Sequence, residues 1–130
     1  MLKAEKIQNI HVLSFNGIKR FNALITDPVK QEINDYFKEP YTKVILNLSG
    51  VEFIDSTGFG VFLSSMKNAN NNFGHFKICN ISPEVMELFK LLQLHNVFEI
   101  YSNLEDCIKS FWTLKELSRF HIIFMIIFDC

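Results

Sequence analysis

The stretch that decides the fold is residues 43–63, "KVILNLSGVEFIDSTGFGVFL". It opens with a nearly continuous apolar run at 43–48, which has the length of a strand that is covered on both faces. The chain continues in extended form over 51–54 and reaches three polar residues at 55–57. From there, apolar positions recur at helical spacing over 57–70. The pattern predicts a buried strand that leads through a polar junction into a helix.

Upstream of this stretch, the sequence predicts a β-hairpin and one helix. Residues 2–7 and 10–15 have strand character and are separated by two residues that suit a tight turn. The helix is expected to be capped by Thr26 or Asp27, with Pro28 in its first turn, where a missing N–H group is tolerated.

Downstream, strands and helices continue to alternate. Residues 75–81 and 97–101 are predicted strands. Ser82 opens the helix between them, and Ser102 or Asn103 caps a last helix. Such alternation is typical of parallel strands joined by crossover helices. The predicted fold class is therefore α/β, with a mixed, mostly parallel sheet, an N-terminal β-hairpin and about four helices.

Charge and cysteine content limit the classes of function. The 130 residues carry a net charge of −1, and no lysine or arginine cluster is present, so direct binding to nucleic acid is not expected. The three cysteines, Cys79, Cys107 and Cys130, are widely spaced, which suggests neither a zinc site nor a disulfide framework. Free thiols and an N-terminus without a signal-peptide pattern favour a cytoplasmic protein.

The C-terminal end differs from the rest of the chain. Residues 122–128 read "IIFMIIF", an apolar run too short to span a bilayer, which takes about 20 apolar residues. We interpret the chain as one domain at 1–112 followed by an extension at 113–130. The apolar run is predicted to be a buried strand or a helix extension; the alternatives are a dimer contact and a membrane-surface anchor.

Enzymatic functions find little support. Ser56 does not lie in a nucleophile elbow, and a nucleophilic serine also needs a base and an orienting acid. The histidines are scattered over separate elements and have no metal-ligand spacing. Gly58 and Gly60 lie at a strand-to-helix junction, but Leu63 stands where a dinucleotide-binding loop has its third glycine. The sequence predicts no catalytic residue, no cofactor and no metal.

The polar junction itself has two compatible interpretations. Asp55 or Ser56 can cap the helix that follows, and a serine at a helix N-terminus can also accept a phosphate group. A cap alone does not account for three polar side chains in a row. Nor does it account for Gly58 and Gly60, each of which lowers helix stability by roughly 1 kcal/mol relative to alanine. Small residues here suggest that another group approaches the backbone closely.

The segment Asp55-Ser56-Thr57-Gly58-Phe59-Gly60 resembles the D-S-[ST]-G-x-G motif of STAS domains, in particular those of bacterial anti-sigma factor antagonists. Residues 78–111, with their S-P-x-V element, are similar to the second half of that family. The resemblance covers roughly residues 2–112. The loop after the second predicted strand departs from the family, because its usual acidic residue is absent from residues 17–23.

The resemblance implies a regulatory protein that switches partners. The unphosphorylated form binds an anti-sigma factor, a GHKL-type serine/threonine kinase, and so releases a sigma factor. The kinase phosphorylates the motif serine, which corresponds to Ser56, and a PP2C-like phosphatase reverses the reaction. The residues expected to contact the partner are the rest of the motif: Asp55, Thr57, Gly58, Phe59 and Gly60.

Two further functions within the same fold remain open at this point. One is a STAS subunit that docks on a membrane transporter, such as a lipid-trafficking ABC transporter. The other is a scaffold similar to the stressosome. The apolar run at 122–128 favours the first, whereas the intact acceptor motif favours the partner switch.

Overall fold

The computed structural model describes residues 1–112, which form seven strands and four helices. The strands are β1 (Lys3–Ile7), β2 (Ile10–Ser14), β3 (Arg20–Phe21), β4 (Lys43–Asn47), β5 (Phe53–Ile54), β6 (His75–Cys79) and β7 (Glu99–Tyr101). The helices are α1 (Thr26–Tyr36), α2 (Ser56–Asn71), α3 (Pro83–Leu91) and α4 (Leu104–Lys109). The predictions for the extension at 113–130 lie outside the described residues.

Five strands form the main sheet, in the order β1-β2-β4-β6-β7. β1 and β2 are antiparallel, and the remaining neighbours are parallel. The turn between β1 and β2 places Gln8 and Asn9 at φ 50° and 66°, the left-handed conformation that matches the twist of a tight hairpin. The predicted hairpin, the mixed sheet and the four helices are confirmed.

The buried strand β4 separates two apolar layers. Side chains alternate between the faces of a strand, so Val44 and Leu46 join one cluster and Ile45 joins the other. The larger cluster includes the apolar faces of α1, α2 and α3, and the smaller one includes Cys107 of α4. Both faces of the sheet are therefore covered, which explains why residues 43–48 read as a nearly unbroken apolar run.

A second, two-stranded sheet supports the polar junction. β3 pairs with β5 in parallel register, with Arg20 opposite Phe53 and Phe21 opposite Ile54. The sequence predicts extended chain at 51–54 but assigns no partner to it, and residues 18–25 are ambiguous. Because this pairing joins segments far apart in the sequence, it brings the loop after β3 next to the start of α2.

The predicted cap of α1 is wrong. The helix begins at Thr26, its N-cap is Ile25, and no side chain makes a capping hydrogen bond. The cause lies in the preceding turn, where the N–H group of Ile25 donates to the carbonyl of Asn22 at 3.0 Å. That turn places Thr26 inside the helix, and its hydroxyl donates back to the carbonyl of Ala23.

The inward face of α2 also differs in part from the prediction. Leu63 is one of the apolar positions whose spacing predicts this helix, yet it is 38% exposed. Val61 and Ser65 are buried instead, and the Ser65 hydroxyl donates to the Val61 carbonyl at 2.8 Å. The caps of the later helices are confirmed, since Ser82 caps α3 and Asn103 caps α4. Within residues 1–112, no helix combines the length and the apolar content needed to cross a bilayer.

Candidate functional site

Asp55 organises the junction between β5 and α2. It is the N-cap of α2, with extended backbone at φ −91° and ψ 179°. Its Oδ1 atom accepts hydrogen bonds from the Gly58 N–H group at 3.1 Å and from the Thr57 hydroxyl at 2.5 Å. Of the two caps that the sequence allows, the structure selects Asp55, which satisfies a backbone donor that the helix would otherwise leave without a partner.

The second carboxylate oxygen of Asp55 holds the loop that follows β3. Oδ2 accepts a hydrogen bond from the Ala23 N–H group at 3.2 Å, and the Asp55 N–H group donates to the Phe21 carbonyl at 3.1 Å. The next residue, Leu24, is 88% exposed. The sequence does not predict this contact, although Asn22 gives a local signal, since its side chain accepts from the Leu24 N–H group in an Asx-type turn.

These hydrogen bonds lower the pKa of Asp55. The largest cause is the Thr57 hydroxyl, and the backbone donors of Gly58 and Ala23 act in the same direction, while burial opposes them. Asp55 is therefore a fixed negative charge at neutral pH.

The hydroxyl of Ser56 is the one left available in the motif. Ser56 is the first residue of α2 and is exposed. Among the side-chain hydrogen bonds of residues 1–112, none involves Ser56, whereas the Thr57 hydroxyl is held by Asp55. A phosphate at this position would lie at the positive end of the helix dipole, next to backbone N–H groups.

The two glycines of the motif have different roles. A Cβ atom at Gly58 would lie 2.7 Å from Ile54 Cγ2 and 2.7 Å from Phe21 Cδ1, both of them buried side chains. A Cβ atom at Gly60 would meet no atom of residues 1–112 within 4 Å. The close approach that the sequence predicts at Gly58 is therefore made by the protein's own core, and only Gly60 opens onto the surface.

Phe59, which is expected to contact a partner, lies in the interior. It is 3% exposed and packs edge-on against Phe89, with the ring centroids 4.9 Å apart. The motif residues on the surface are Ser56, Thr57 and Gly60, with Asp55 half-buried between them. Phe59 and Gly58 thus attach the motif to the core.

Replacing the two glycines by alanine is expected to change stability in opposite directions. Gly58→Ala should lower the free energy of unfolding by up to about 2 kcal/mol, since overpacking a core costs roughly 1–3 kcal/mol and the gain in helix propensity offsets about 1. Gly60→Ala should raise it by up to about 1 kcal/mol. Urea unfolding of both variants gives the comparison. A Gly58→Ala variant as stable as Gly60→Ala would show that Phe21 and Ile54 move aside easily.

Two substitutions separate the roles of Asp55. Asp55→Ala should lower the free energy of unfolding by about 1–2 kcal/mol, because the cap is lost. Asp55→Asn keeps an oxygen for the Gly58 N–H group but turns an amide toward Ala23, so a loss of about 0.5–1.5 kcal/mol is expected. Because the pKa of Asp55 is lowered, its carboxylate stabilises the fold above the unfolded-state pKa of about 4, and this contribution disappears as the pH falls through the folded-state pKa. The difference in the free energy of unfolding between the wild type and Asp55→Asn, measured with urea, should therefore become smaller in acid. A difference that does not change with pH would contradict this account.

The surroundings of Ser56 hold no catalytic apparatus in the part of the chain that is described. Within residues 1–112, no side-chain hydrogen bond joins His11, His75 or His95 to Ser56, and the buried His95 Nδ1 atom has no partner there. No three histidine, cysteine or acidic side chains of residues 1–112 gather into a metal-binding group. The arrangement offers an exposed hydroxyl at a helix terminus that is capped by Asp55.

The fold and this junction define a class of protein. The family model for the STAS domain matches residues 1–107. The chain belongs to the STAS domain family.

Three proteins similar to this chain narrow the comparison. The anti-sigma F factor antagonist of Paenibacillus polymyxa is 28% identical over 79 residues, which cover 60% of this chain and 68% of the relative. The structure of an anti-sigma-factor antagonist (STAS) domain protein from Planctomyces limnophilus has a TM-score of 0.78 at 20% identity. The match covers 84% of this chain and 96% of the Planctomyces chain. The structure of the Bacillus cell fate determinant SpoIIAA in its phosphorylated form has a TM-score of 0.61 at 17% identity. The match covers 85% of this chain and 98% of the SpoIIAA chain.

Proposed function

We propose that this chain is an anti-sigma factor antagonist whose binding to an anti-sigma factor is switched off by phosphorylation of Ser56. The observation that carries the proposal is the different environment of each side chain in the motif. The side chains of Asp55 and Thr57 are hydrogen-bonded to each other, and Gly58 and Phe59 are buried in the core. The exposed Ser56 hydroxyl is therefore the one available to a kinase. The relative from Paenibacillus polymyxa is named an anti-sigma F factor antagonist, which supports the antagonist part of the proposal.

The proposed reaction at Ser56 is phosphoryl transfer. The partner, a GHKL-type kinase, transfers the γ-phosphoryl group of ATP to the Ser56 oxygen; the hydroxyl proton passes to a base of the kinase, and ADP leaves. A PP2C-like phosphatase hydrolyses the phosphoserine and restores the hydroxyl. In this proposal the chain supplies the acceptor and no catalytic group. Because the kinase takes the phosphoryl group from ATP, we expect the switch to operate in the cytoplasm.

The charge of the product explains why binding is lost. A phosphate adds about −1.5 to −2 charges beside the fixed charge of Asp55. The N-terminus of α2 stabilises that charge within this chain. A partner surface built around a neutral hydroxyl would have to bury the charge without a counter-ion, which is strongly unfavourable.

The partner surface that we propose combines the exposed part of the motif with the loop after β3. Asp55 ties the two together through the Ala23 N–H group, so the loop that carries Leu24 is hydrogen-bonded to the residue that precedes Ser56. At 88% exposure, Leu24 offers an apolar contact next to a hydroxyl and a carboxylate. Apolar anchors surrounded by polar groups are typical of binding surfaces.

The proposal is tested with the cognate kinase from the same organism, captured by an immobilised Ser56→Ala variant and identified by mass spectrometry. Incubation of the wild type with that kinase and Mg-ATP should place one phosphate on Ser56. Thr57→Ala should still be phosphorylated, and Ser56→Ala should not. Phosphate on Thr57 would contradict the assignment of the acceptor. Capture of transporter subunits in place of a kinase would make the chain a docking subunit.

Leu24 provides a prediction for the binding surface. Leu24→Ala should weaken binding to the anti-sigma factor about tenfold, because burying a leucine side chain contributes roughly 1.5–3 kcal/mol and alanine retains part of that. The matched control is Leu91→Ala, at the end of α3, where the leucine is 77% exposed. Calorimetric titration of both variants measures the difference. Equal affinities would remove the β3–α1 loop from the interface.

A further inference from the structure

A groove lies between the turn of the β1–β2 hairpin and helix α4. Its volume is about 820 Å³, and its apolar wall is formed by Ile7 at the end of β1, by Ile108 of α4 and by Trp112. Gln8 and Lys109 line its rim. The groove lies on the side of the sheet covered by α4, whereas Ser56 starts the helix that packs on the other side. It is therefore separate from the proposed phosphorylation site.

The wall at Trp112 is held in place by polar contacts. The indole Nε1–H group donates to the Gln8 side-chain oxygen at 3.1 Å, which links the end of the described chain to the hairpin turn. The Lys43 ammonium lies 5.4 Å from the indole ring centroid, within the range of a cation–π contact. These two contacts hold the indole ring at the wall of the groove.

The chain continues from this wall into its most apolar segment. Trp112 is followed by the extension, which contains residues 122–128, "IIFMIIF". The linker at 113–121 reaches up to about 30 Å when it is extended, enough to lead back to the groove from which it starts. Through so short a tether, the effective concentration of the run at the groove is in the millimolar range.

We propose that residues 122–128 bind in this groove of their own chain and cover its apolar wall. Burial of apolar surface is favourable, and both the run and the wall of Ile7, Ile108 and Trp112 have such surface to bury. The same run from a second copy would have to compete with the tethered one at millimolar effective concentration. This inference does not depend on the proposed function.

Disulfide capture tests the proposal in the full chain, using the natural Cys130, which follows the run by two positions. Lys109→Cys and Asn9→Cys are made separately on the two rims of the groove, and Lys67→Cys on the exposed side of α2 is the matched control. Oxidised glutathione accepts the two electrons. The natural Cys79 and Cys107 are buried and do not take part.

We expect at least one rim variant to form an intramolecular disulfide with Cys130 at least tenfold faster than Lys67→Cys. Disulfide-linked dimers would overturn the proposal in favour of a second copy as the occupant. Equal rates at the rim and at the control position, or no disulfide at the rim, would show that the run does not bind in the groove.

The fluorescence of Trp112 gives a second measurement, since it is the only tryptophan of the chain. Ile126→Asp should release the run, shift the emission of Trp112 to longer wavelength and increase its quenching by acrylamide. Ser118→Asp, which adds the same charge in the linker, should leave both unchanged. Unchanged emission in Ile126→Asp, or a change only when phosphatidylglycerol vesicles are added to the wild type, would overturn the proposal.

Discussion

Phosphorylation of Ser56 is expected to weaken binding to the anti-sigma factor by about a thousandfold, which corresponds to about 4 kcal/mol. The phosphate introduces charge beside Asp55, whose own pKa is lowered by the Thr57 hydroxyl, so that two negative groups face the partner. Ser56→Asp carries less charge and should weaken binding by at least tenfold. Ser56→Ala keeps the site neutral and should bind within a few-fold of the wild type. Calorimetric titration of the four forms gives the dissociation constants.

The matched control for added charge is Ser102→Asp. Ser102 is exposed and precedes α4, on the side of the sheet away from α2. The same charge at that position should leave the affinity unchanged. If Ser102→Asp weakens binding as much as Ser56→Asp does, the effect comes from net charge and not from the site.

Loss of the fold does not explain the expected loss of binding. An acidic residue in the first turn of a helix contributes about 0.3–1 kcal/mol of stability through the helix dipole. Ser56→Asp should therefore have a thermal midpoint equal to or slightly above that of the wild type. Since the loss of binding and the gain of stability have opposite signs, one pair of measurements distinguishes a switch from a damaged protein.

Most features that depend on neighbouring residues could be predicted from the sequence, and the cap of α1 is an exception. The caps at Asp55, Ser82 and Asn103 each bond to a backbone group three residues along the chain, so the sequence contains the whole interaction. The apolar run at 43–48 identifies a central strand because burial on both faces leaves no position for polar residues. Local pattern was sufficient for these elements.

Features that depend on distant contacts could not be predicted. Position 58 requires glycine because a Cβ atom there would lie too close to the Phe21 ring. That ring lies next to the motif because β3 pairs with β5. The bond from the Ala23 N–H group to Asp55 joins the same two segments, and it places Leu24 at the candidate site. The pairing of β3 with β5 thus determines both which side chains pack against Gly58 in the core and which loop contacts Asp55 at the surface.

Phe62→Ala is expected to have the largest effect on stability, lowering the free energy of unfolding by about 3–5 kcal/mol. Phe62 is fully buried in α2, two residues after Gly60. Its ring lies among those of five other phenylalanines, with centroid distances of 5.6–6.5 Å. These are Phe21, Phe59, Phe76, Phe89 and Phe98. Removing the central ring leaves a cavity that the surrounding rings can fill only in part.

Urea unfolding measures this loss, with Phe73→Ala as the control, because Phe73 is 70% exposed and stacks on Tyr41 at the surface. The control should change stability by less than about 1 kcal/mol. Since a domain of this size has a total stability of about 5–15 kcal/mol, Phe62→Ala should remain folded at low temperature, and its Ser56 should still be phosphorylated there. A loss below about 1 kcal/mol for Phe62→Ala would show that the aromatic cluster repacks around the missing ring, and that α2 does not rely on it to present Ser56.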